Sequence, residues 1–256
     1  MMVMRGVISL IVCIISLFAL PAYARTVISV TIVEEWVDDA GGRFTAVDPA
    51  PIPQGIARFG PFRVIDPRRA ALVDATDARS PRAFAAMMRA YPQITTLEMV
   101  ECPGTDDDTA NLMVGRMIRA AGLITHVPAH GSVRSGAVEL FLAGKERWID
   151  DGAEFAVHSW QDNYGREARD FAADSPVNRA YVDYYQSMGM SAPQARAFYD
   201  MTNSTPNADA RWLTAQDMRG WIGQGSERQR AVRYADVTTQ VTAPKIAYLD
   251  LGRSIP

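Results

Sequence analysis

Cysteine is almost missing from this chain: Cys13 and Cys102 are the only two in 256 residues. Cys13 lies in the N-terminal apolar run, so an intrachain disulfide within the rest is excluded and stability has to come from a packed core. Histidine is scarce too. His126, His130, His158 and one cysteine do not fall at ligand spacing, which argues against zinc, and no metal or cofactor is expected. Neither sign of charge dominates, with 26 basic against 29 acidic residues. No basic patch with interleaved aromatics is present, so nucleic acid is not an expected partner. Internal repeats and low-complexity tracts are also absent.

The one long apolar run, Gly6 to Leu20, is shorter than the roughly 20 residues of a membrane span. Met1 to Arg5 form a short positive head before it, and Ala22-Tyr23-Ala24 forms an A-x-A cleavage site after it. Residues 1–24 therefore read as a signal peptide. The mature chain would be periplasmic or secreted, with no stable membrane span. An uncleaved N-terminal segment acting as a membrane anchor is the alternative. Loss of Arg5 moves the net charge from −3 to −4, ordinary for a soluble protein.

Residues 25–256 read as a single α/β domain, a length that can bury a core without staples. Val27 to Trp36 and Arg43 to Val47 flank a turn, Asp38 to Gly42, and predict a hairpin. Asp48 to Gly60, with three prolines, predicts a loop that completes the segment 25–60. Phe62 to Ile65 and Ala71 to Asp74 predict short strands. Alternation follows. Ser80-Pro81 starts a helix with Phe84, Met87, Met88 and Tyr91 on one face. Ile94 to Val100 is a strand, and Asp107-Asp108 opens a helix lined by Ala110, Met113, Met117 and Ala121. Ile124 to Val127 is a strand, Ser135 to Ala143 a helix, and Lys145 to Ile149 and Glu154 to Val157 are strands. This order predicts stacked βαβ units with a mainly parallel sheet. A helical addition spans residues 174–222. It starts from Ser175-Pro176, from a Ser191/Gln194 capping box and from Thr214 with Asp217.

Chemistry concentrates in Gly131 to Trp160. Ser135 opens an apolar helix-like run, and His158 ends a strand-like run 23 residues later. A serine hydroxyl is a poor nucleophile until a base takes its proton, and His158 is the only histidine at a strand end after the serine. Two roles stay open for Ser135: nucleophile, or helix N-cap. His126 and His130 flank Pro128 and read as ordinary surface residues, and Cys102 as a small buried thiol.

Three segments resemble the proteolytic subunit of the Clp protease, of the ClpP/crotonase fold, and its exported relatives in particular. They are Leu97 to Gly104 with the helix ending Gly115-Arg116-Met117-Ile118-Arg119, Ser135-Gly136-Ala137 running into Phe141-Leu142-Ala143-Gly144, and Phe155-Ala156-Val157-His158. The resemblance implies stacked ββα units, a Ser135 nucleophile and a His158 base. Its third member is an aspartate before an aromatic-Leu-Ser/Thr-Ala segment. Here that segment is Trp212-Leu213-Thr214-Ala215, which makes Asp209 the implied acid. The implied oxyanion donors are the backbone N–H groups of Thr105, with Gly104, and Gly136. Thr105 replaces a family glycine, and a side chain there is expected to crowd the substrate or turn the donor away. The resemblance also implies a homo-oligomer, a ring or trimer.

The leading expectation is an exported serine hydrolase acting on a peptide or ester. An α/β-hydrolase esterase is a second reading, although that fold requires G-x-S-x-G and a histidine after the acid. Val133 occupies its first glycine position and no histidine follows His158. A catalytically inactive ClpP-like binding scaffold is the third.

Overall fold

The computed structural model describes residues 50–224. The signal segment and the hairpin expected over residues 27–47 lie outside them. Two sheets, six α-helices and a short 3-10 helix (Ala168–Asp170) make up the described part. The first sheet holds β1 (Ala57–Phe59), β2 (Phe62–Asp66), β3 (Arg69–Leu72), β4 (Thr96–Met99), β6 (Ile124–Val127) and β8 (Glu146–Ile149), side by side in that order. From β3 onward its pairs are parallel. The second sheet holds β5 (Glu101–Cys102), β7 (Ser132–Arg134), β9 (Glu154–Val157) and β10 (Arg211–Thr214), parallel except for the antiparallel β9–β10 pair.

The two sheets are fed by the same passes of chain. The strand expected over Ile94 to Val100 bends at Val100, whose N–H still donates to Leu72 while its carbonyl accepts from Ser132. β4 thus hands over to β5 and α2 (Asp108–Ala120) follows, and β6 hands over to β7 before α3 (Ala137–Leu142). β8 hands over to β9 in the same way. These are stacked ββα units, and the fold is mixed α/β with mainly parallel sheets.

Three local expectations are corrected. The expected loop up to Gly60 contains β1, because Ala57 to Phe59 pairs back on β2 across Gly60-Pro61. α2 buries Asn111, Val114, Gly115 and Ile118, while Met113 is 50% exposed. That face is chosen by packing: a Cβ on Gly115 would sit 1.8 Å from the Tyr184 hydroxyl, so only glycine admits that ring. The Ser191/Gln194 box is half a box. Ser191 caps the Gln194 N–H, but the Gln194 side chain reaches Trp221 O instead.

α1 (Ser80–Ala90) covers the first sheet, and Phe84 and Met87 pack in one core with Phe62, Leu72, Leu97 and Met99. Each such side chain contributes roughly 1.5–3 kcal/mol by leaving water. α4 (Pro176–Ser187) and α5 (Ala192–Thr202) form the helical addition. Tyr184 donates to Glu139 O of α3 at 2.7 Å, and Phe198 makes edge contacts with Tyr185 and Trp221. α6 (Ala215–Trp221) closes the set after β10. No described helix is long and apolar enough to cross a membrane.

Candidate active site

Ser135 is the first residue beyond β7, and its N–H donates to Ala156 O of β9 at 2.9 Å. Its φ is +48°, in the left-handed region that costs a non-glycine residue about 1–2 kcal/mol. Strain of this kind persists where surrounding structure over-determines it, commonly at functional sites. The expected helix start at Ser135 is corrected here: α3 begins at Ala137, with Gly136 as its cap. Among the described residues the Ser135 hydroxyl makes no hydrogen bond, so it is not serving as a cap.

The ion pair of Arg134 and Glu101 holds this turn from beneath. Arg134, 3% exposed, also donates to Ser132 Oγ at 2.7 Å. The pair joins the residue before Ser135 to the strand that leads into Cys102-Pro103-Gly104. Gly104 adopts φ +136°, and a Cβ there would lie 2.9 Å from Ser135 Cβ. The approach of the loop to the serine therefore requires glycine.

Thr105 bridges to Thr76. Thr76 N–H donates to Gly104 O at 3.1 Å, and Asp106 N–H donates to Thr76 O at 2.8 Å. Neighbouring residues of an extended strand aim their N–H groups to opposite sides, so the Thr105 N–H points away from Thr76. The Thr105 side chain does not project into open space as a crowding group. Its hydroxyl bonds Thr76 O and Asp107, and its methyl fills the place where a Cβ on Gly136 would sit. Asn111, 1% exposed, links the two loops by donating to Gly136 O at 2.6 Å and accepting from the Thr76 hydroxyl at 2.8 Å. Sequence reasoning missed Asn111 and Thr76, since their role is purely one of spatial bridging.

His158 follows β9; the pairing of Arg134 with Ala156 sets Ser135 level with Val157, one residue before His158. His158 Nδ1 lies 2.9 Å from Ser159 O. A carbonyl only accepts, so this contact places the ring proton on Nδ1 and leaves Nε2 as the basic nitrogen. Asn207 Nδ2 stands 3.2 Å from Nδ1 and 2.9 Å from Ser159 O. The loop that carries Asn207 is docked by Ser159 N–H on Thr205 O, at 2.7 Å, and by its own N–H on Glu167. Asn207 thus occupies the place expected of Asp209. Asp209 is exposed, accepts from the adjacent Ala210 N–H and does not line the cleft. The two are two residues apart, and only the loop's docking decides which one faces the imidazole.

Ser135, Gly136, Thr105 and His158 line one cleft of about 440 Å³. The helical addition supplies part of its opposite wall through Tyr181, Tyr185 and Thr202. Trp160 stacks on Tyr181 and donates to the Tyr199 hydroxyl at 2.9 Å. The cleft also holds an acid that sequence reasoning overlooked. Glu139 of α3 is 8% exposed, accepts from the Tyr185 hydroxyl at 2.6 Å, and has its carboxyl pKa raised to about 7. Burial is the main cause, with the nearby Asp108 charge adding to it. Asp108 is raised as well, by desolvation, against a hydrogen bond from Tyr181. A lone carboxylate within Ala137-Val138-Glu139-Leu140-Phe141-Leu142 was the available signal.

The other histidines lie elsewhere. His126 is buried in β6 with Nε2 3.1 Å from Asp150, not at the surface, and neither it nor His130 lines the cleft. Burial pushes the Cys102 thiol pKa up, consistent with an inert core residue. No group of described residues is arranged to hold a metal ion.

Neither a protein-family model nor a curated protein sequence matches the chain. Similar solved structures do exist. One is a ClpP1 point mutant from Listeria monocytogenes, with a TM-score of 0.45 and 14% identity over 61% of this chain and 88% of that one. A mutant of the 1510-N membrane-bound stomatin-specific protease gives 0.42 and 15%, over 59% and 73%. Another, in complex with a substrate peptide, gives 0.40 and 14%, over 60% and 72%.

Proposed function

We propose that the chain is an exported serine hydrolase of ClpP-like type that cleaves peptides. Ser135 Oγ attacks the scissile carbonyl while His158 Nε2 takes its proton, and the charge on the carbonyl oxygen develops toward the N–H groups of Thr105 and Gly136. His158 then returns the proton to the leaving amine, and water releases the acyl group by the same steps in reverse. The carrying observation is the strained Ser135, held in one cleft with His158 and with two loops tied together by Asn111. Asn207 acts on the imidazole through the Ser159 carbonyl, to which its Nδ2 and the ring Nδ1 both donate, and it contributes no charge. Substrate binding must draw Oγ and Nε2 to roughly 2.6–3.2 Å, a contact that often tightens only in the complex. A homo-oligomer in the periplasm or outside the cell completes the proposal.

Turnover of a fluorogenic peptide library by the mature protein tests it. Ser135→Ala and His158→Ala should each lower kcat by roughly a thousandfold or more. A folded protein with no turnover at all would favour the second reading, an inactive binding scaffold. The placing of Asn207, rather than Asp209, near His158 Nδ1 is what keeps that reading in play. The esterase reading gains no support, because Val133 and the lack of a histidine after His158 stand against it.

A further inference from the structure

We infer that the hairpin of residues 161–167 binds the part of the substrate that leaves, and that it takes an aromatic side chain of that segment against the ring of Tyr164. This rests on the serine-hydrolase reading and assigns one side of the cleft to one half of the peptide. His158 hands its proton to the leaving amine, so the departing segment has to pass the imidazole. The hairpin starts three residues beyond His158 and closes through the Gln161–Glu167 bridge, and its first arm, Gln161 to Asn163, lines the cleft. A stacked column runs outward beside it. Trp160, in the cleft wall, packs on Phe171 with ring centres 5.3 Å apart. The Arg166 guanidinium lies 4.7 Å over the Phe171 ring and 5.4 Å over the Tyr164 ring. The column ends at Tyr164, which is 85% exposed.

The chain that carries this exposed ring is tied down. Asp162 Oδ1 accepts from the N–H groups of Tyr164 and Arg166, both at 2.9 Å, and Asp162 Oδ2 accepts from Arg166 Nε at 2.8 Å. At the base, buried Glu167 accepts the Asn207 N–H, which joins the hairpin to the loop that meets His158. Space at the tip is open, since a Cβ on Gly165 would meet nothing within 4 Å. Tyr164 therefore offers an incoming ring a face whose ordering cost is met before substrate arrives.

Paired substrates separate this subsite from the chemistry. The acyl peptide best cleaved in the fluorogenic library is presented first as its coumarin amide, which has no leaving peptide. It is then presented as a quenched-fluorescence peptide extended past the scissile bond by three residues, all glycine or with one phenylalanine at the first, second or third place. One phenylalanine position should lower KM roughly fivefold against the all-glycine peptide, with kcat changing less. Tyr164→Ala should bring that KM ratio to about one, while Tyr164→Phe, which keeps the ring, should retain it. Turnover of the coumarin amide with equal KM for all extended peptides overturns the inference and leaves the hydrolase reading standing. A phenylalanine gain that survives in Tyr164→Ala overturns it too. Wild-type protein that cleaves neither kind of substrate sinks the hydrolase reading, and the inference, which requires a leaving segment, falls with it.

Discussion

Replacing Glu139 by glutamine should stabilise the protein, and only at neutral and higher pH. Burial lifts the Glu139 carboxyl from 4.5 to about 7. At 1.36 kcal/mol per pKa unit, that is about 3 kcal/mol against the ionised form. The unfolded chain gives up this proton near 4.5 and the folded one near 7. Between those values the folded state holds the extra proton, so stability falls as pH rises across the window and levels off above it. The groups that face this carboxyl are Tyr185, Asp108, Tyr181 and Tyr184. Glutamine cannot ionise, and its carbonyl keeps the Tyr185 hydrogen bond. Urea unfolding of both proteins at pH 5 and pH 8 is the assay. The variant should match wild type within about 1 kcal/mol at pH 5 and exceed it by about 2–3 kcal/mol at pH 8. A difference independent of pH, or a variant less stable at pH 8, would refute burial as the cause.

Three further substitutions probe the scaffold of the site. Gly104→Ala puts a methyl 2.9 Å from Ser135 Cβ at φ +136°. It should cost about 1–3 kcal/mol in a thermal melt and lower kcat by roughly a hundredfold. Arg134→Ala leaves Glu101 without its buried partner and should cost about 3–5 kcal/mol by denaturant unfolding. Loss under 1 kcal/mol would mean that solvent already screens the pair. Asn111→Ala frees Gly136 O and the Thr76 hydroxyl together. About 2 kcal/mol of stability and a kcat reduction of ten- to hundredfold are expected, with KM changing less than kcat.

What the sequence reveals is mostly local. Asp107, Ser175-Pro176, Ser191 and the Thr214–Asp217 box mark helix starts through bonds spanning three residues, and these four lie where expected. Ser80 does not cap its helix: Arg79 is the N-cap of α1 and makes no side-chain cap bond. The parallel order of β4, β6 and β8 follows from the alternation of strand and helix. The second sheet was hidden because β5 and β7 are two and three residues long. β7 also carries Ser132 and Arg134, polar residues that are buried only because Glu101 meets them from another strand. Ser135 was legible as chemistry but not as geometry. Its left-handed φ comes from the pull of Ala156 O and the close approach of Gly104, neither of which has a sequence period. Asn207 displaced Asp209 for a similar reason: the docking of Ser159 on Thr205 sets which side chain of that loop meets His158.

The central claim is that Ser135 is a nucleophile activated by His158. Fluorophosphonate labelling of the folded mature protein, with the adduct mapped by peptide mass spectrometry, tests it most directly. The account predicts a single adduct on Ser135 that is lost in His158→Ala and retained in Asp209→Ala. An unlabelled Ser135 in folded wild-type protein, or an adduct that persists undiminished in His158→Ala, would contradict it.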